Sequence, residues 1–427
     1  MKIKKITAVL LFIFAAFIVY RPFGADAEPG RTLIAEGKDA GPNISWAYYN
    51  DGTLELSGAG SMYRWWNPLQ DSAPWNSFKN SIQTVKISEG ITAIGDWAFA
   101  NCENMTSAEI PESVTDICLN AFQNCDSLIS VNIPGISAFI DPRAFSLCDN
   151  LVNIVLNPGN INYTIIDGVL FSKDAKKIAI YPYAKSGEYY EIPDGVTSVG
   201  DHAFYFASKL KEIKIPESVT VIGSSAFFDC MGLIKINIPQ NVSVIEEYTF
   251  YNCNKMKSVK IPDGVTSLGM YAFWNWKNLT SVTIPAAVGS IGMRAFFNCE
   301  NLNCAVFLGD VPDSFGENVF GGVSPGFTVY YFEGAKGFSE PVWKGYKTQM
   351  MPAKILYGDI NGDGFSDTAD LVGLSRHIAE IEPISNPVFL KAADLTGDGR
   401  VTIADIIKLA RYLAGIDKTE PGEVKFK

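Results

Sequence analysis

The chain has 427 residues, 47% of them apolar, which is enough to bury a sizeable core and to build two or three domains. Its formal net charge of −11 excludes the basic stripe that a nucleic-acid partner requires. Eight cysteines occur without any C-x-x-C pair, so a zinc site has no support.

Residues 1–27 read as a secretory signal. Lys2, Lys4 and Lys5 precede an apolar run from Ala8 to Tyr20, and Ala25-Asp26-Ala27 is a small-x-small cleavage site. The run is shorter than the roughly 20 apolar residues of a spanning helix. The expected mature protein is therefore secreted and extracellular, with no membrane span. Residues 28–81 follow, rich in Trp and Tyr: Trp46, Tyr48, Tyr49, Tyr63, Trp65, Trp66 and Trp75. Gly52 to Gly58 alternates like a strand after an Asn50-Asp51-Gly52 turn. These aromatics fit a carbohydrate platform or, better, an N-terminal cap that seals the open end of the repeats beyond them.

From 82 to 302 the sequence repeats. Phe99, Phe122, Phe145, Phe204, Phe227, Phe250, Phe273 and Phe296 follow one another in steps of 23 residues, with one step of 59. A strict period of this length predicts a solenoid in which each repeat buries its apolar face against its neighbours. Each repeat holds a short strand ending in Pro, as in Val282-Thr283-Ile284-Pro285, then a Val-Thr-x-Ile-Gly run, as in Val219 to Gly223. The Ala-Phe-x-x-Cys piece, as in Ala226 to Cys230, is expected to form a single helical turn with Ala, Phe and Cys inward. Cys102, Cys125, Cys148, Cys230, Cys253 and Cys299 share one slot, which Ala207 and Trp276 fill elsewhere. A slot that accepts Cys, Ala or Trp is a packing position, so free buried thiols are expected rather than disulfides. The long step holds an insert near 152–187, expected to be a β-hairpin from Val169-Leu170-Phe171-Ser172 and Ile178 to Tyr181. Residues 303–352 decay into a C-terminal cap. The outward strand row Lys86, Glu109, Asn132, Glu191, Lys214, Asn237, Lys260 and Thr283 is mixed polar. It suits an unidentified protein or glycan partner and shows no aromatic line.

The recurring Ile-Pro, Val-Thr-x-Ile-Gly and Ala-Phe-x-x-Cys elements resemble the BspA-like leucine-rich repeat family. The resemblance implies a leucine-rich-repeat solenoid, mainly short parallel β-strands with helical turns.

Residues 353–418 form a second unit, with a tail at 419–427. Asp359 to Asp370 and Asp394 to Asp405 are two aligned twelve-residue loops, offset by 35. Oxygen-bearing side chains recur at loop positions 1, 3, 5, 9 and 12, with Gly at position 6. Ca²⁺ takes six to eight hard oxygens, and a Gly there permits the turn that gathers them. Each loop enters an amphipathic helix, marked by Leu371, Leu374 and Ile378, then by Ile406, Leu409 and Leu413. The pair resembles a dockerin domain, a small all-α module of paired Ca²⁺-binding loop-helix units. The resemblance implies two Ca²⁺ ions and a cohesin module of a scaffoldin as partner. By position it implies Asp359, Asn361, Asp363, the Phe365 carbonyl, Asp367 and Asp370 as the first ligand set. Asp394, Thr396, Asp398, the Arg400 carbonyl and Asp405 would form the second. Thr396 and Thr402 are neutral where a carboxylate or amide is usual, which should weaken the second site. The family's partner-reading positions fall on Thr368, Ala369, Ser375 and Arg376, and on Ile403, Ala404, Ala410 and Arg411. Thr368-Ala369 differs from Ile403-Ala404, so the two halves are not interchangeable surfaces.

Neither His202 nor His377 is placed for nucleophilic catalysis, and no HExxH or GxSxG motif occurs. The sequence thus reads as a secreted, non-enzymatic adaptor of a cellulosome-like complex. The alternatives are a polysaccharide-binding accessory or a glycoside hydrolase component of the same assembly.

Overall fold

The computed structural model describes residues 30–66, 72–137, 139–352, 357–361, 366–380, 384, 386–414 and 416. The signal segment 1–27 and the tail 419–427 lie outside the described residues. The larger part is a β-solenoid of about 12 turns. Two stacks of short parallel strands run along it. In one, Thr84 pairs with Ser107 and Glu212 with Lys235. In the other, Ile117 pairs with Ile140 and Leu268 with Ile291. Each step advances by one repeat, so the sequence period is the register.

Between the stacks runs a column of buried rings. Phe99, Phe122 and Phe145 stack at 5.2 and 5.4 Å, and Phe204, Phe227, Phe250, Phe273 and Phe296 at 4.9 to 5.6 Å. Across the long step Tyr181 takes the vacant place, 4.9 Å from Phe204. The insert is a meander of three strands, Tyr163–Ile166, Val169–Ser172 and Lys177–Ile180, and the last joins the parallel stack at Ser198–Val199. Alternation in the middle strand places Leu170 in the core of the N-terminal repeats and Val169 and Phe171 in the core that follows.

The segment around each Phe refines the expectation of one helical turn. Left-handed residues flank the ring two positions before and two after, as at Tyr248 and Asn252 around Phe250 or Tyr271 and Asn275 around Phe273. A right-handed helical turn contains no such residue. The Phe N–H instead donates to the next rung, for example Phe250 N to Ala272 O at 2.9 Å. Asn and Asp tolerate the left-handed region best, and they fill the later position at Asn101, Asn124, Asp229, Asn252, Asn275 and Asn298.

All eight cysteines are free and buried. The shared slot also has a polar duty. The thiols of Cys125, Cys148, Cys230, Cys253 and Cys299 each donate to the carbonyl of the Phe one rung back, for example Cys148 Sγ to Phe122 O at 3.0 Å and Cys230 Sγ to Phe204 O at 3.1 Å. Trp276 does the same through Nε1 to Phe250 O at 2.7 Å. Burial pushes the Cys102 and Cys299 thiols up to about 12.

Leu33–Gly41, Ile44–Tyr49 and Thr53–Gly58 form an antiparallel meander that joins the solenoid at Thr84–Ile87. Trp46 and Trp65 pack on Trp75, which stacks on Phe99 at 5.6 Å, so these rings close the core. At the other end Cys304–Phe307, Thr328–Phe332 and Tyr346–Met351 extend the stack and Val342–Trp343 turns back antiparallel.

Among the described residues three helices follow: α1 (Thr368–Ile378), α2 (Pro387–Ala393) and α3 (Ile403–Leu413). Leu374 and Leu409 are fully buried in a small core with Ile360, Ala393 and Leu395, and Leu371, Ile378, Ile406 and Leu413 pack on it. That is the apolar face the spacing predicts. α2 was not foreseen. Its Val388, Phe389 and Ala392 pack on Val306 and Met351 of the solenoid end, which fastens the helical module to the repeats.

Candidate functional site

The two loops are built alike. α1 begins with Asp367, whose side chain accepts from Ala369 N at 2.7 Å, while Asp370 Oδ2 accepts from Asp367 N at 2.9 Å. α3 repeats this capping box with Thr402 and Asp405. Asp370 Oδ1 reaches back to Ile360 N and Asn361 N at 3.0 and 3.1 Å, and Asp405 Oδ1 reaches Thr396 N at 2.9 Å. The last carboxylate of each loop therefore ties the loop entrance to the helix start.

In the second loop Asp394 Oδ1 accepts from Gly397 N at 2.7 Å and Oδ2 from Gly399 N at 2.8 Å, closing the turn at position 6. Gly399 has φ +81, a conformation that an L side chain rarely adopts. Asp398 Oδ1 accepts from Arg400 N at 2.9 Å. In the first loop Asp359, Asn361, Asp367 and Asp370 are described, whereas Asp363 and Phe365 lie outside the described residues. Among the described residues no three His, Cys, Asp or Glu side chains converge as a metal-holding group.

The chemistry of the second loop nevertheless fits a hard cation. Asp405 is fully buried, and its partners are neutral: Thr396 N, Thr402 N and the Thr402 hydroxyl. Burial alone would push its carboxyl up, but those donors outweigh it and hold it below the usual carboxylate range. A fully buried carboxylate whose partners here are neutral N–H and O–H donors is a place where a bound cation would supply the counter-charge. Asp359 and Asp370 are equally buried in the first loop.

Most of the positions expected to read a partner lie outward on the helices. Thr368, Ala369, Ser375 and Arg376 are exposed on α1, and Ile403, Ala404 and Arg411 on α3, with Ala410 half-buried. The two sets do not meet the same surroundings. Ala369, Val372, Gly373 and Arg376 line a cleft of about 350 Å³ whose other wall includes Tyr330, Gln349 and Phe389. The sequence reading did not single out Val372 or Ile407, which lie exposed on their helices, at 57% and 54%. Their place four residues into each helix was the available signal.

On the solenoid two members of the outward strand row pair with each other, Lys214 with Glu191, and beside the row Lys235 bonds Glu212 and Lys211 bonds Glu188, each at 2.5 Å. Asn237 turns back onto Ile215 N at 2.8 Å. The aromatic line absent from the strand face stands on the turn edge. Tyr205, Phe228, Tyr251 and Trp274, each one residue after a buried Phe, stack at 5.0, 4.4 and 4.4 Å. Tyr248 and Tyr271 form a second row, and Arg294 Nη1 donates to Tyr271 Oη at 2.8 Å. Reading that position across the repeats would have found it. In the N-terminal cap Trp46, Trp65 and Trp75 are buried, and Trp66 is 86% exposed. His377 Nδ1 accepts from Ile384 N at 2.9 Å, and His202 packs edge-on against Tyr205.

Comparison with known proteins places both parts. The family model described as BspA type leucine rich repeat region matches residues 74–181 and 176–303. The model described as dockerin type I domain matches residues 357–414. No curated protein matches the chain. Among solved structures, a leucine-rich repeat protein from Eubacterium ventriosum is 24% identical, covering 74% of this chain and 98% of its own with a TM-score of 0.49. A leucine rich cell surface protein from Faecalibacterium prausnitzii is 22% identical, covering 67% of this chain and 96% of its own with a TM-score of 0.48. The pneumococcal vaccine antigen PcpA is 16% identical, covering 75% and 93% with a TM-score of 0.43. No helix among the described residues is long and apolar enough to cross a membrane.

Proposed function

The chain belongs to the BspA type leucine rich repeat family and ends in a dockerin type I domain, and we propose that it is an exported, non-catalytic adaptor. The dockerin attaches it, dependent on Ca²⁺, to a cohesin module of a scaffoldin, and the solenoid presents a face to a protein at the cell surface. The observation that carries the first half is the duplicated loop-helix unit, in which a fully buried aspartate, Asp370 or Asp405, ties each loop entrance to its helix start. Asp359, Asn361, Asp363, Asp367, Asp370 and the Phe365 carbonyl would hold one ion. Asp394, Thr396, Asp398, Asp405 and the Arg400 carbonyl would hold the other. Bound Ca²⁺ supplies the positive charge that lets these carboxylates pack together at the helix starts. The residues themselves fix both helix entrances through their capping boxes.

A protein partner for the solenoid is supported by the stacked aromatic rows on its turn edge. Tyr, Trp and Arg are the residue types that dominate protein interfaces. Ring faces there are taken up by neighbouring rings, which leaves edges and hydroxyls rather than the open faces a sugar ring stacks on. The matched families are non-catalytic, and export accords with where such domains work.

The test is capture of the full chain on an immobilised type I cohesin. Capture in Ca²⁺ and release by excess chelator is the expected result. Capture that persists unchanged in chelator contradicts the Ca²⁺ assignment.

A further inference from the structure

The outward strand row changes character at its C-terminal end. Lys214, Asn237 and Lys260 are exposed and Thr283 is half-buried. The next two members by register are Val306 and Tyr330. Val306 is fully buried, although it stands on the face that the earlier rungs turn to water. What covers it is α2. Val388, Phe389 and Ala392 pack on Val306 and Met351, Phe389 stands edge-on to Tyr330 at 6.3 Å, and the Asn386 amide reaches Met351 Sδ at 3.4 Å. Left open, Val306, Tyr330 and Met351 would form an apolar patch on the last rungs. α2 therefore completes the end of the solenoid.

The same helix is held from its other side by the two loops. It has seven residues, and isolated helices shorter than about 12–15 residues are marginal in water, so its order comes from its tethers. Gly358, just before the first position of the first loop, donates to Ala392 O at 2.8 Å. Asp394, the first position of the second loop, is the C-cap of α2, and its carboxylate accepts from Gly397 N and Gly399 N. Ala393 is fully buried in one core with Ile360 and Leu395, the second positions of the two loops.

We propose that Ca²⁺ occupancy of the loops governs the order of the solenoid's last rungs, with α2 as the link. The proposal rests on the Ca²⁺ reading above. Metal binding is coupled to folding, because the ligands must be drawn together. Fixed loop entrances fix the last turn of α2, and Phe389 then stays on Val306 and Tyr330. With the loops unloaded, their carboxylates repel, α2 loses its hold, and the apolar end of the strand row meets water. The coupling is reciprocal: a solenoid that holds α2 raises the Ca²⁺ affinity of the loops by the same factor.

The test is amide hydrogen exchange of the full chain, read by mass spectrometry with and without Ca²⁺, beside calorimetric titration with Ca²⁺. Where opening requires release of the ion, exchange slows by about 100-fold at 100 times the dissociation constant. Thr328–Phe332 and Tyr346–Met351 should gain at least tenfold in protection, and Glu212–Lys214, far back in the repeats, should change less than twofold. Val306→Ala, a change in the solenoid, should lose most of that gain and take up Ca²⁺ about three- to tenfold more weakly. Phe389→Ala trims the same contact from the module's side and should match it, which keeps the answer independent of misfolding in either part. Ca²⁺ uptake without protection of the two end strands, equal protection of all three, or parent-like behaviour of Val306→Ala overturns the proposal. A chain that takes up no Ca²⁺ overturns the Ca²⁺ reading and this inference with it.

Discussion

α1 and α3 have equal length, the same capping box, the same buried aspartate at the third helical position and the same buried leucine one turn later. They differ at the cap, Asp367 against Thr402, and at the outermost positions, Thr368 and Val372 against Ile403 and Ile407. They also differ in setting, since α1 lines the cleft beside the solenoid and α3 does not. A duplicated unit thus keeps what its own fold needs. What it does with its outer surface is decided by a few exposed side chains and by whatever packs nearby.

The strongest way to test the shared part is to remove the carboxylate that ties loop to helix in each half. Asp370→Ala leaves the N–H groups of Ile360, Asn361 and Asp367 without their acceptor, and Asp405→Ala does so for Thr396 and Thr402. Each buried donor left unsatisfied costs about 1–3 kcal/mol. Either variant should unfold its half of the module, read as lost helicity in the far-ultraviolet and lost Ca²⁺ uptake at one site. If one variant melts the module and the other leaves it intact, the halves do not share this support.

What could be read beforehand follows the range of the interactions. The Phe period set both the rung register and the buried column, because one repeat's neighbours are copies of itself. The turn around each Phe was harder. Ala, Phe and Cys fall at i, i+1 and i+4, which a helical turn and a pair of left-handed turns both satisfy. The deciding signal was Asn or Asp two residues after the Phe. α2 was not read from the sequence, although Asn386 before Pro387 is a helix-start signal. Its destination was illegible, because Val306 and Met351 are far away in the chain and carry no pattern that names Phe389 as their partner.

Acid should test the second half more gently. Asp405 is held below its ordinary range by Thr396 and Thr402. A depressed carboxylate contributes stability that is present above its unfolded pKa near 3.8 and is lost as pH falls through its lower native value. The calcium-free chain should therefore keep α3 at pH 5 and lose it in the acid limb below about 4, followed by circular dichroism. Asp405→Asn removes the titrating group, so its helicity should already be lower at pH 5 and change less across that limb. A variant with an undiminished acid transition would show that another carboxylate controls it.

The smallest effect belongs to the caps. Asp367 and Thr402 both accept the N–H of the second helical residue, so exchanging them should leave either helix intact, as both types are good N-caps. They differ in charge at loop position 9, and ligand charge tunes Ca²⁺ affinity. Thr402→Asp should tighten the second site, and Asp367→Thr should loosen the first, each by about tenfold or less, since position 9 often acts through water. Calorimetric titration of the two variants measures this directly. Equal affinities in all three chains would mean that the charge at this position is not felt by the ion. The weakness expected of the second loop would then have to come from Thr396 alone.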